Sequence, residues 1–128
     1  MFGWLKKKSP QPAGPDFSRI DSREKAEALF RQGQLETLHL MPPEFGGDDA
    51  PHNILFVPVG LAAVKAGIDQ NVVLPLAAEG KLTRYSAMPE YQGSSFIPIA
   101  IRIEASDPGQ FSTVINIWGD ALARDGGG

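Results

Sequence analysis

Cysteine is absent from this chain. Disulfide frameworks, thiol nucleophiles and cysteine-ligated zinc are excluded at once. Histidine is nearly as scarce, with His39 and His52 the only two. No Gly-Lys-Ser/Thr phosphate loop occurs. No apolar run approaches the roughly 20 residues of a membrane span, and no apolar segment follows the early lysines as a secretory signal requires. Cytoplasmic residence is the expectation. Bases are in the minority, 12 against 15 acids, for a net charge of −3. Three of them are Lys6, Lys7 and Lys8, which leaves residues 9–128 with nine bases against fifteen acids, a charge of −6. A nucleic-acid binder needs a clustered basic face, and this balance speaks against one.

What is present suits one folded domain. The 128 residues are 42% hydrophobic and 21% charged, enough apolar material for a buried core. Glycine (14) and proline (11) make up about a fifth of the chain, above the roughly 12% of average usage. Residues 1–16 read as an N-terminal segment and linker, residues 17–120 as a single domain, and residues 121–128 as a tail with little to hold it. Within the first segment, Phe2, Trp4 and Leu5 would suit a lipid headgroup boundary, with Lys6, Lys7 and Lys8 toward anionic lipid. Three lysines fall short of a convincing lipid-binding cluster, however, and the aromatics would equally pack onto the domain.

The periodicities place the elements. A helix is expected over 22–32, with Asp21 as its cap, Glu24 completing the capping pair, and Gly33 as its stop. A strand over 35–41 ends at Pro42 and Pro43, and a polar loop runs to His52. Residues 54–59 are apolar on both faces and predict a covered strand, with Pro58 at a sheet margin. A helix over 61–79 carries the stripe Leu61, Val64, Ile68, Val72 and Leu76, but Pro75 predicts a kink or break between Gly67 and Pro75, with Asp69 available to cap a second piece. Strands follow over 82–88, 96–105 and 111–118, the second with Ile97, Ile99, Ile101 and Ile103 on one face, and Asp107-Pro108-Gly109-Gln110 turns between the last two. The order α-β-β-α-β-β-β predicts an α+β two-layer sandwich, a mostly antiparallel sheet of about five strands with two helices on one face.

Motifs for chemistry are few. Gly60 follows an apolar strand and opens a helix, but a dinucleotide fingerprint would need glycine at the positions of Ala62 and Lys65. What is left there is a helix N-terminus that would attract an anion with help from Lys65, against a plain turn and a solvated lysine. His39 and His52 bracket Glu44, Asp48 and Asp49, yet the spacing matches neither a helical His-x-x-x-His pair nor a calcium loop. A solvated loop is the simpler reading, and no metal or cofactor is expected. Gly93-Ser94-Ser95-Phe96 is not a nucleophile elbow, so no catalytic residue is assigned, and the balance leans away from an enzyme.

The richest pattern is a sheet face. If the isoleucines face the core, Arg102 and Glu104 face away beside Phe96, Pro98 and Ala100, with Val114, Asn116 and Trp118 on the partner strand. Trp118 would meet Arg102 in a cation–π contact, and Tyr85 and Tyr91 would extend the patch. This composition suits an interface, and it suits a face covered by another element equally well. The leading expectation is an interaction protein that binds a protein partner, a second copy of itself included, or acts as an immunity or inhibitor protein against a basic enzyme. Its contacts would be Tyr85, Tyr91, Phe96, Arg102 and Trp118 on the sheet, and Glu44, Asp48 and Asp49 in the acidic loop. The alternative is a small-ligand-binding domain or enzyme with a pocket between sheet and helices, where Tyr85, Tyr91 and His52 supply polar contacts. A third reading is a peripheral membrane protein held by residues 2–8.

Overall fold

A computed structural model describes residues 15–127. The candidate membrane segment, Phe2 to Lys8, and most of the expected linker lie outside the described residues. The first helix, α1 (Arg23–Arg31), is capped by Ser22, whose hydroxyl accepts from the Lys25 N–H at 3.2 Å. Asp21 was the expected cap. It pairs instead with the Lys25 ammonium at 2.8 Å, because serine stands one residue closer to the first free N–H groups. Gly33 closes the helix at φ 80°, as a left-handed stop requires.

Strands β1 (Leu35–His39) and β2 (Ile54–Pro58) pair antiparallel, Leu35 opposite Pro58 and His39 opposite Ile54. Pro58 therefore stands at the end of its ladder, where its missing N–H is harmless. The intervening segment makes two 3-10 turns, Pro43–Phe45 and Pro51–Asn53. Buried Asn53 ties it down: its side chain accepts from the Met41 N–H and donates to the Met41 and Asp48 carbonyls.

The long helix is irregular where proline predicts. α2 (Leu61–Ile68) passes into a π turn (Asp69–Val73) and then into α3 (Leu74–Ala78). Pro75 has no N–H to return to the Asn71 carbonyl, and in the turn before it the Leu74 N–H reaches back five residues to the Asp69 carbonyl. The helix is neither split nor recapped, and Asp69 does not cap a second piece.

The last sheet holds β3 (Arg84–Glu90), β4 (Ala100–Ser106) and β5 (Gln110–Asn116) in that order, both pairings antiparallel. The fold is thus α+β with two antiparallel sheets of two and three strands, not one sheet of five. Prolines at Pro58 in β2 and Pro89 in β3 deprive those strands of donors that a continuous sheet would need. The expected strand over 96–105 starts late, at Ala100. Residues 96–99 run through buried Pro98 and spend their amides on other segments, Phe96 on the Ile20 carbonyl and Ile99 on the Glu90 carbonyl. In the β4–β5 hairpin the positive φ falls on Asp107, not on Gly109, and the Asp107–Pro108 bond is cis. Gly109 is needed for closeness instead: a Cβ there would come within 2.9 Å of the Lys81 carbonyl.

Ile97, Ile99, Ile101 and Ile103 are all buried, together with Val57, Phe56, Ile115, Ile117 and Trp118. The expected order also lacks one element. Where an unanchored tail was expected from Ala121, the chain forms α4 (Asp120–Gly127), with Ala121 buried and Arg124 making a two-armed contact to Glu90 at 3.1 and 3.3 Å. No helix among the described residues is long and apolar enough to cross a membrane.

Candidate functional site

The interface patch expected on the sheet does not assemble. Trp118 lies beyond the end of β5, where alternation no longer governs its direction, and only 2% of it is exposed. Its indole N–H donates to the Ile97 carbonyl at 3.1 Å, and Phe17 packs edge-on against it. The residue opposite Arg102 on β5 is Val114, so the expected Trp118–Arg102 contact is replaced by a core indole and an exposed guanidinium. Phe96 is partly buried beside Phe56, under the Arg23 guanidinium. Tyr91 stays half-exposed, with burial of the rest pushing its hydroxyl above the ordinary tyrosine range.

The acidic loop is a set of local contacts. Asp49 Oδ1 is in hydrogen-bond contact with His39 Nε2 at 2.7 Å, Asp48 accepts from the Ala50 N–H, and Glu44 accepts from Gln70 Nε2 at 3.1 Å. The Glu44 carboxyl is held below its usual range by its own backbone N–H, with help from Gln70 and from the nearby Lys65 and His39 charges. His52 is exposed in the second 3-10 turn. Among the described residues no group of three or more His, Asp and Glu side chains is placed to hold a metal ion. Ser94 is exposed, whereas Ser95 is buried and bonded to the Phe17 carbonyl. The α2 N-terminus, where an anion was considered, already carries one. The Glu36 carboxylate of β1 accepts from the Gly60 and Ala62 N–H groups at 2.8 and 3.0 Å, which matches the positive end of the helix dipole.

The chemistry gathers around Tyr85 instead, with Lys65 and Asp69, which the sequence offers only as an anion helper or solvated lysine and as a helix cap. Lys65 is 2% exposed and Asp69 4%. The Lys65 ammonium donates to one Asp69 carboxylate oxygen at 2.6 Å and to the Tyr85 hydroxyl at 2.9 Å, and that hydroxyl donates to the other Asp69 oxygen at 2.8 Å. The triangle is closed. Lys65 is therefore not a solvated side chain. Burial holds its ammonium below the ordinary lysine range, opposed by the bond and charge of Asp69. Burial and Asp69 together push the Tyr85 hydroxyl well above the ordinary tyrosine range, so it stays a proton donor. The two acid–base partners on the helix are four residues apart and span the start of the π turn, an irregularity often found at functional sites.

No protein-family model matches the chain, and neither a curated protein nor a solved structure matches it.

Two hollows border the triangle, one along Tyr85 and the other along Lys65 and Asp69. A groove of about 820 Å³ is lined on its apolar side by Met41, Phe45, Val73, Ala77 and Leu82, with Tyr85 in its wall. Thr83, Arg84, Ser86, Glu104, Ser106 and Gln110 supply its polar groups. Phe45 stands edge-on to the Tyr85 ring at 5.1 Å. A smaller cavity of about 200 Å³ is lined by Thr37, His39, Glu44, Lys65, Asp69 and Gln70 among others. One signal in the sequence pointed here. Lys65 and Asp69 sit at i,i+4 in a helix otherwise made mainly of Leu, Ala, Val and Ile, which is the spacing of a pair that can be buried together.

Proposed function

We propose that the chain is a small-ligand-binding domain whose ligand lies in the groove between the 74–78 helical segment and β3. The observation that carries this reading is the groove itself. About 820 Å³ is within the range of small-molecule sites, and an apolar wall set against polar groups can hold and orient an amphipathic ligand. The rigid back wall supports it further, since Tyr85 is held by two hydrogen bonds to a buried ion pair and a preorganised wall lowers the ordering cost of binding. An amphipathic molecule fits best, its apolar body on Met41, Phe45 and Leu82 and its polar end toward Arg84 and Glu104. Cytoplasmic residence stays part of the proposal.

Ala77→Trp is the test, because it fills the groove from a partly exposed helix position. Anilinonaphthalene sulfonate should fluoresce on the native wild-type protein and not on the folded variant, with amide shifts at Phe45, Thr83 and Tyr85. Equal fluorescence from both proteins, or shifts elsewhere, would overturn the reading.

A second reading keeps a protein partner, a second copy included. Its specific support is the outer face of the three-stranded sheet, where Met88 is 52% and Val114 38% exposed on either side of Arg102. Concentration-dependent sedimentation that Met88→Lys abolishes is the expected sign of it.

A further inference from the structure

We propose that Lys65 is a carbonyl-capturing lysine, and that the smaller cavity receives small neutral aldehydes or ketones, which Lys65 holds as a protonated imine. The inference concerns the 200 Å³ cavity and does not depend on the larger groove being occupied.

A buried lysine–aspartate pair is a weak device for stability, since apolar residues of similar size usually do as well. Here the pair is also reachable, because both Lys65 and Asp69 line a cavity. An ammonium has three N–H donors, and two are taken, by Asp69 and by Tyr85. Among the described residues the third has no partner, and Thr37 lines the same cavity as Lys65. Asp69 is the base within reach, at 2.6 Å from the nitrogen, and the Tyr85 hydroxyl holds the carboxylate from the other side at 2.8 Å. Burial holds the ammonium below the ordinary lysine range, which eases loss of its proton.

The step balances. Lys65 passes one ammonium proton to Asp69. The freed nitrogen lone pair forms a bond to the carbonyl carbon while the carbonyl π pair moves to oxygen. That oxygen takes the proton from Asp69, and the nitrogen returns a second proton to the carboxylate. Asp69 then protonates the new hydroxyl, which leaves as water as the nitrogen lone pair closes the C=N bond. The ammonium and the carbonyl compound have become a protonated imine and one water, with the positive charge still on nitrogen beside Asp69. No buried charge loses its partner, which removes the usual obstacle to reaction at a buried ion pair. The ligand class follows from charge. Glu44 and Asp69 share the cavity with Lys65, so a keto acid would bring a third carboxylate, whereas a neutral carbonyl brings none.

The full chain, incubated with propanal and cyanoborohydride and then mapped by peptide mass spectrometry, tests this. The reductant delivers hydride to the imine carbon and fixes a propyl group on whichever lysine formed it. Lys65 should be modified at about tenfold the level of the exposed Lys25 and Lys81, a modest share of what a held geometry provides. Pyruvate should be trapped far less. Thr37→Trp, at an exposed position on the cavity wall, should lower the Lys65 adduct about tenfold, returning it to the surface level, and leave Lys25 and Lys81 unchanged. Labelling of Lys65 at or below the surface lysines would overturn the proposal, and the wild-type map alone decides that. An undiminished adduct in folded Thr37→Trp would overturn the cavity as its route, and pyruvate trapped as well as propanal would overturn the neutral class.

Discussion

Replacing Lys65 by methionine nearly preserves side-chain length and helix propensity at that position and removes the ammonium. What it leaves behind is the consequence. Asp69, 4% exposed, would face the interior with the Tyr85 hydroxyl as its one remaining side-chain partner among the described residues. Removing one member of a buried pair costs about 3–5 kcal/mol, against a total stability of about 5–15 kcal/mol for a domain. For a chain of this size that corresponds to a fall in melting temperature of about 10–20 °C. The triple variant Lys65→Met, Asp69→Leu, Tyr85→Phe removes every polar group of the triangle together. It should return to within about 1 kcal/mol of the wild type or exceed it, because no buried charge or hydroxyl is left unpaired. Urea melts with a common m value measure both quantities. A Lys65→Met loss below about 1 kcal/mol would mean that water reaches Asp69 freely. A triple variant as unstable as the single one would show that the π turn itself needs the pair. Either result refutes the argument.

The same structure sets further outcomes. Tyr85 has a folded pKa above its unfolded value of 10.0, so its contribution is full below pH 10 and is lost as pH rises beyond it. The stability of the wild type should therefore fall faster than that of Tyr85→Phe above about pH 10, by up to about 1.4 kcal/mol per pH unit. Phenolate absorbance of the native protein should show no titration of Tyr85 near that pH. Gly47→Ala should cost more than about 2 kcal/mol in a urea melt, because a Cβ there would overlap the Met41 carbonyl oxygen. Gly33→Ala, with φ 80° but open space around it, should cost about 1 kcal/mol. Glu36→Ala strips the α2 N-terminus of the acceptor for its Gly60 and Ala62 N–H groups, and should lower stability by about 0.5–2 kcal/mol.

Much of the fold was legible because local rules govern it. The isoleucines at alternate positions from 97 to 103 all reach the core, and Pro75 marks the irregular stretch of the long helix. The errors lie where distant segments compete for the same backbone groups. Residues 96–99 alternate like a strand, yet Ile20 and Glu90 claim their amides. Ser22 displaces Asp21 as a cap by a single position. The candidate site was less legible. Tyr85 was singled out for exposure on a sheet face, and its hydroxyl instead points to Asp69. Arg102 keeps its predicted exposure, while Trp118 turns inward once β5 ends.

By itself the sequence determined the class of fold, the positions of most turns and the absence of thiol chemistry, because composition, period and proline act over a few neighbouring residues. Tertiary structure alone decided that the strands divide into two sheets and that Glu36 occupies the helix N-terminus. It also decided that Lys65, Asp69 and Tyr85 close into one buried triangle between two hollows. Asp69 and Tyr85 stand sixteen positions apart in the chain. Whether a lysine and a tyrosine are solvated or locked to a carboxylate depends on what packs over them, and no local pattern in the chain carries that.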